Sequence, residues 1–125
     1  MKESIQSIIN WNTIAGNGTN NYSRHLETSM LSEEMAEVII ALKENNRVEA
    51  VDWILDTLWV WIWTLHKLWL TAEQINNSFE EIKRSNYSKF TRNTQDTGWT
   101  LSTDWEWKIT KPSTFSPPNL KQFWI

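Results

Sequence analysis

Apolar residues recur three and four apart over most of this chain and then, beyond Phe90, alternate with polar ones. Leu31, Met35, Val38 and Leu42 form one stripe at helical spacing, and Val51, Leu55, Leu58, Ile62, Leu65 and Trp69 form a second. Glycine and proline are missing from Thr19 to Thr97, which suits long helices joined by tight polar turns. Asn46-Arg47-Val48-Glu49 and Thr71-Ala72-Glu73-Gln74 read as capping boxes that divide this stretch. The pattern predicts helices at about 22–44, 47–70 and 72–90, after a short one at about 3–11 and a Gly/Asn loop at about 12–21. The third helix is also apolar at Ile54, Trp61 and Leu68, so it is hydrophobic round most of its girth. Such a helix sits in the middle of a bundle or against another subunit, and in so small a chain both are expected.

After Phe90, Trp99, Leu101, Thr103, Trp105, Trp107 and Ile109 follow a period of two, which predicts a short strand or hairpin. KPSTFSPPNLKQFWI then reads as a Pro-anchored extended tail that lies on the helical body or on a neighbouring subunit. The fold class expected is all-α: a four-helix-bundle-type protomer with an extended C-terminal arm, oligomeric.

Composition narrows the classes of function. At 125 residues the chain fits one domain with a modest core, again favouring oligomers. The absence of Cys excludes disulfides, thiol catalysis and Cys-based zinc sites. A formal charge of −3 argues against binding nucleic acid through bulk charge. Trp53 to Leu70 is the sole membrane candidate, and Asp56, His66 and Lys67 interrupt it. With no secretory stretch at the start, the expected compartment is the cytoplasm, that of the host if the source is viral.

The carboxylates carry the chemistry. Glu34 and Glu37 share a helix face, Glu33 lies four before Glu37, and Glu49, Asp52 and Asp56 line one face of the next helix. An antiparallel pairing about the turn at Asn45–Asn46 makes level positions sum to about 91, because the rise per residue is constant. The two acidic patches then stand at one height, and repel unless a cation sits between them. Oxygen ligands without His or Cys select Mg²⁺ or Mn²⁺. Glu49 also has a plainer role, completing its capping box. Asp52 and Asp56, set in VDWILDTLWVWIW, need a partner if buried.

The fourth helix continues its inward stripe of Ile75, Phe79 and Ile82 with Asn86 and Lys89. Pairing it antiparallel to the third helix gives level sums of about 142, so Asn86 is expected opposite Asp56. A divalent metal, a lysine and an amide at one level are equipment for holding a polyphosphate. The alternative is a helix end whose Lys complements the dipole.

Glu33-Glu34-Met35-Ala36-Glu37 matches an EExxE element, and VDWILDTLW (51–59) resembles a second acidic element of the form VDELADVLW. EIKRSNYSKF (81–90) is similar to an SNxSKF helix end, with KPSTFSPPNL (111–120) as its following tail. By these ordered motifs, from about Leu26 to Leu120, the chain resembles the MazG-like and phosphoribosyl-ATP pyrophosphohydrolase-like all-α superfamily. Its compact form looks most like the phage-type, guanine-selective MazZ-like branch. One departure is that Trp53 stands where the second element usually has Glu, so Asp52 or Glu49 must supply that carboxylate.

The resemblance implies Mg²⁺-dependent (or Mn²⁺-dependent) hydrolysis of a nucleoside triphosphate to monophosphate and pyrophosphate, with two or more ions per site. It implies a helical catalytic domain at 1–90, an arm at 91–125, and a homodimer or homotetramer. Glu34, Glu37, Asp52 and Asp56 would hold metal, and Glu33 would take the proton of the attacking water or ligate a further ion. Lys89 would neutralise phosphate, Asn86 would orient phosphates or sugar, and Lys111, which opens the tail motif, joins the substrate-binding candidates. Asn12 with the loop to Gly18, and Trp59, would wall a purine base, with dGTP or GTP the substrate expected. For that loop a simple connection, and for Trp59 core packing, are the plainer readings. Neither nucleic acid nor a membrane is an expected partner.

Other classes fare worse. AGNGTN lacks the Lys-Ser/Thr of a phosphate-binding P-loop, and two His are too few for a His/Asp metal phosphohydrolase. The competing class is a non-enzymatic helical interaction module that binds a partner through its Trp-rich arm.

Overall fold

The computed structural model describes residues 1–19, 22–92, 99–100, 103–104, 106 and 108–125. Four helices dominate it: α1 Lys2–Ile14, α2 Arg24–Lys43, α3 Arg47–Lys67 and α4 Ala72–Tyr87. Two short strands, β1 Thr91–Arg92 and β2 Trp99–Thr100, pair antiparallel with Thr91 opposite Thr100, and an isolated bridge joins Thr103 to Ile109. The chain is all-α, and among the described residues the alternating segment supplies these short pieces of sheet. Leu101, Trp105 and Trp107 of that segment lie outside the described residues. Among the described residues no helix is long and apolar enough to cross a membrane.

Three helices stop in the same way. At the end of α1, Gly16 takes φ 78, its N–H donates to the Thr13 carbonyl, and Asn17 N–H donates to the Asn12 carbonyl. At the end of α2 the left-handed residue is Asn45, with Asn45 N–H to Leu42 and Asn46 N–H to Ala41. At the end of α3 it is Trp69, with Trp69 N–H to His66 and Leu70 N–H to Leu65. Each is a Schellman cap, in which two otherwise orphaned carbonyls are satisfied by backbone folding back on itself. The second residue of AGNGTN, Gly16, is thus the left-handed residue that ends a helix. At the other ends one expected capping box is complete and one is half-formed, because the Asn46 N–H donates to the Ala41 carbonyl and not to Glu49. Asn46 Oδ1 accepts from Glu49 N–H at 3.3 Å, and Thr71 and Gln74 exchange two bonds at 2.9 and 3.2 Å.

The chain divides into two compact units, Met1–Asn76 and Asn77–Ile125. In the first, α1 and α2 both pack on α3. Its apolar core is Ile5, Ile9, Ala72 and Ile75, with Ile62, Leu65 and Leu70 half-buried against them. Leu65 and Leu70 are also the residues joined by the α3 cap, so the hydrophobic contact customary to that motif merges into the core.

The α2–α3 seam has another composition. Its buried side chains on α2 are Glu27, Val38 and Ala41, and on α3 Ala50, Thr57, Thr64 and Lys67. Glu27, Glu34 and Ala41 are seven apart, as are Ala50, Thr57 and Thr64, the spacing of a supercoiled helix pair. Thr64 donates to Glu27 at 3.0 Å, which fixes the register: Glu27 faces Thr64, Glu34 faces Thr57, and Ala41 faces Ala50. Small side chains let the helices approach closely, and two of the three layers are polar. The expected stripes lie largely elsewhere: Met35, Leu42, Val51, Leu55 and Leu58 are 41–59% exposed.

In the second unit the tail is latched to the end of α4. Arg84 forms a two-toothed pair with Glu81, both contacts at 2.8 Å, and also donates to the Pro117 carbonyl at 3.1 Å. Asn119 N–H donates to Glu81 at 2.9 Å, and Ser116 N–H donates to Ser88 Oγ at 2.7 Å. The two motifs at 81–90 and 111–120 are therefore halves of one hydrogen-bonded joint.

Candidate active site

Glu33, Glu34 and Glu37 come from the middle of α2, where helical spacing turns Glu34 into the seam and leaves Glu33 on the exposed flank. Glu34 Oε2 is shut off from solvent and has no hydrogen-bond partner among the described residues. Thr57, which faces it, gives its hydroxyl to the Trp53 carbonyl at 2.7 Å instead. Burial pushes the Glu34 carboxyl above the ordinary carboxylate range, and Glu37, Asp56 and Glu33 push it further the same way. Those four carboxylates thus share one electrostatic neighbourhood, as the hairpin register requires. Asp52 and Asp56 are exposed on α3, one turn apart, and Asp52 lies within a turn of the level of Glu37.

Glu27 offers an internal comparison. It occupies the same seam position one heptad earlier, and there Lys67 supplies a cation at 2.7 Å. At the Glu34 layer the residue corresponding to Lys67 is Val60. The donor set at that layer, all carboxylate and, among the described residues, without a protein cation, suits a hard divalent ion in charge and in chemistry. Among the described residues no three of these groups already converge to cage one.

The base-wall candidates also belong to the first unit. Trp59 is 38% exposed and meets Trp11 edge to face, with ring centroids 5.8 Å apart. Asn12 is fully buried; its Nδ2 donates to the Ile8 carbonyl at 2.9 Å, and its Oδ1 has no partner among the described residues. In the second unit, Lys89 Nζ donates to Asn86 Oδ1 at 2.7 Å, and Lys89 and Lys111 stand 5.8 and 5.1 Å from the centre of the Phe115 ring. Two lysines thus flank one aromatic ring beside an amide, a cationic group suited to phosphate.

The Glu27–Thr64–Lys67 cluster did not emerge from motif reading, although the register that levels the acidic patches also levels Glu27 with Thr64. Its members are single polar residues forty and thirty-seven positions apart, with no local signature.

The family model for phosphoribosyl-ATP pyrophosphohydrolase matches residues 15–86, more than half of the chain. The chain belongs to that family. A phosphoribosyl-ATP pyrophosphohydrolase family member is a hydrolase of phosphoric anhydrides, and nucleotide pyrophosphohydrolysis is its general activity. Membership decides between the enzyme and the non-enzymatic interaction module in favour of the enzyme. The match spans α2, α3 and most of α4, so it holds every acidic candidate and ends at Asn86; Asn12, Lys89 and Lys111 lie outside it. No curated protein and no solved structure matches the chain significantly.

Proposed function

We propose that the protein is a Mg²⁺- or Mn²⁺-dependent nucleoside triphosphate diphosphohydrolase that converts a (d)NTP and water to (d)NMP and pyrophosphate. The observation that carries this reading is Glu34: a seam carboxylate among three others, with a buried oxygen that has no partner and no protein cation among the described residues. Glu34, Glu37, Asp56 and Asp52 would hold the divalent ions, which supply charge neutralisation and a more acidic water when bound. Glu33, on the exposed flank, accepts the proton of the attacking water. Lys89, Asn86 and Lys111 are assigned to the phosphates.

The substrate proposed is a purine nucleotide, dGTP or GTP. Trp59 offers an aromatic face one turn from Asp56, and the loop from Asn12 to Gly18 is assigned the polar part of the wall, with Gly16 N–H, Asn17 N–H and the Asn17 carbonyl engaged within the protein. An extended π-face and a purine edge rich in donors and acceptors suit such a wall. The partner proposed for the uncovered apolar flank of α2 and α3, including Leu42, Val51, Ile54, Leu55 and Leu58, is a second copy of the chain, in a homodimer or homotetramer.

The deciding experiment measures pyrophosphate release from all eight common nucleotides with Mg²⁺, singly and then in competition at equal subsaturating concentration, because selectivity is a ratio of specificity constants. Cleavage of dGTP or GTP at least as fast as any other supports the reading. A clear preference for dUTP or dCTP overturns the purine assignment and leaves the metal chemistry standing. No pyrophosphate from any of them overturns the whole.

A further inference from the structure

The two halves of the α2–α3 seam are closed by different means. Near the turn, Ala41 and Ala50 are buried with Val38 beside them. Toward the open end, no apolar side chain of α2 before Val38 is buried, and the buried groups are Glu27 on α2 and Thr57, Thr64 and Lys67 on α3. One Glu27 oxygen accepts from Lys67 at 2.7 Å and the other from Thr64 at 3.0 Å. Both charged side chains are at most 5% exposed. Lys67 is steadied by the Trp63 ring, 4.3 Å from its centre, and Trp63 Nε1 donates to the Asn17 carbonyl at 3.1 Å.

We propose that Glu27 and Lys67 are positioning residues of the acidic site: their buried ion pair holds the open end of the hairpin shut and so keeps Glu34 at the level of Asp56. The proposal rests on the reading of that acidic layer as the catalytic site. A buried ion pair adds little net stability over an apolar pair of equal volume, and its best-attested use is to select one geometry. Removing one partner leaves the other charge dry and unpaired, and the cheapest remedy is for the helix ends to part and admit water. Glu34 is the next layer inward from Glu27, so it moves first. Ala41 and Ala50, one layer further, remain in contact.

The test uses the full chain with Glu27→Gln, which keeps the shape, and Lys67→Met as a second variant. Amide hydrogen exchange reports the opening, and Mn²⁺ binding followed by electron paramagnetic resonance reports the site. Both variants should speed exchange at residues 24–34 by about tenfold or more and leave residues 38–43 unchanged, at a temperature where circular dichroism shows native helix. Mn²⁺ affinity should fall by about tenfold as well, the order of loss typical when groups that orient metal ligands are removed. Unchanged exchange at 24–34 in Glu27→Gln overturns the proposal whatever the activity does. Faster exchange with unaltered Mn²⁺ affinity also overturns it, since the pair would then brace the fold without positioning the site. Wild-type protein that takes up no Mn²⁺ overturns the metal reading and this proposal with it, an outcome neither variant can mimic.

Discussion

Glu27 and Glu34 occupy equivalent positions of one helical seam, yet among the described residues only Glu27 has a cation, Lys67 at 2.7 Å. Glu34 instead faces a threonine whose hydroxyl is already committed to the Trp53 carbonyl. Among the described residues, one carboxylate of the pair has a cation of the protein beside it and the other has none.

That difference has a pH signature. The Glu34 carboxyl is raised by burial and by its acidic neighbours. A raised carboxyl binds its proton more tightly in the folded state, so its contribution to stability is full below the ordinary value of 4.5 and is lost as pH rises through the folded value. Glu34→Gln, neutral throughout, should therefore raise Tm at neutral pH in the absence of divalent ions and flatten its pH dependence. Melts followed by circular dichroism with a chelator present check this, and an unchanged Tm would count against a strained carboxylate.

The acidic layer should also govern turnover. Glu37→Gln and Asp56→Asn are each expected to slow pyrophosphate release by about a hundredfold or more, a barrier increase of about 3 kcal/mol. Helicity should be kept, because removing a like charge relieves repulsion. Full activity in both variants would sink the mechanism.

Asp52, rather than Glu49, is expected to replace the carboxylate lost at Trp53. The cap at Asn46 uses the backbone N–H of Glu49, so Glu49→Gln leaves that bond intact. Glu49→Gln should keep most activity and Asp52→Asn should lose most of it, as read from kcat/KM; the reverse pattern would exchange the two roles.

Trp69 holds the left-handed conformation at the end of α3 with a large side chain, 74% exposed. A side chain there meets the following carbonyl oxygen at a cost of about 1 kcal/mol that glycine avoids. Trp69→Gly should stabilise the fold by about that amount in denaturant titrations, and a lower midpoint would show the indole to be covered.

In the second unit, the Arg84 pair and the Asn119 N–H hold the Glu81 carboxyl down at about 2. A depressed carboxyl stabilises the folded form above its unfolded value of 4.5 and loses that contribution as pH falls toward 2. The tail should therefore stay latched through mild acid, with the Asn119 amide resonance shifting only as pH approaches about 2. Glu81→Gln should shift that resonance already at neutral pH.

The helices were legible because their signals are local. Arg47 opens α3 directly after the predicted cap at Asn46, and the Thr71–Gln74 box forms both of its bonds. The turn at Asn45 set the register that Thr64 and Glu27 obey. What escaped was non-local or contrary to propensity. Trp69 ends a helix in a conformation that favours glycine, so the helix read as running on to Leu70. Large apolar residues dominate the pattern of both helices, whereas Ala, Thr and Glu make most of the α2–α3 seam, because close approach favours small side chains over large ones. Asn12, expected to line a wall, is buried because the first helix runs on to Ile14 and turns that residue inward.

Trp63, together with Lys67, links three segments. Its edge donates to the Asn17 carbonyl, its face carries Lys67, and Lys67 in turn grips Glu27. Contacts that share a side chain do not contribute independently, so the loop after α1 and the start of α2 are tied to α3 in a single cooperative unit. Loosening any one of them is felt by the other two.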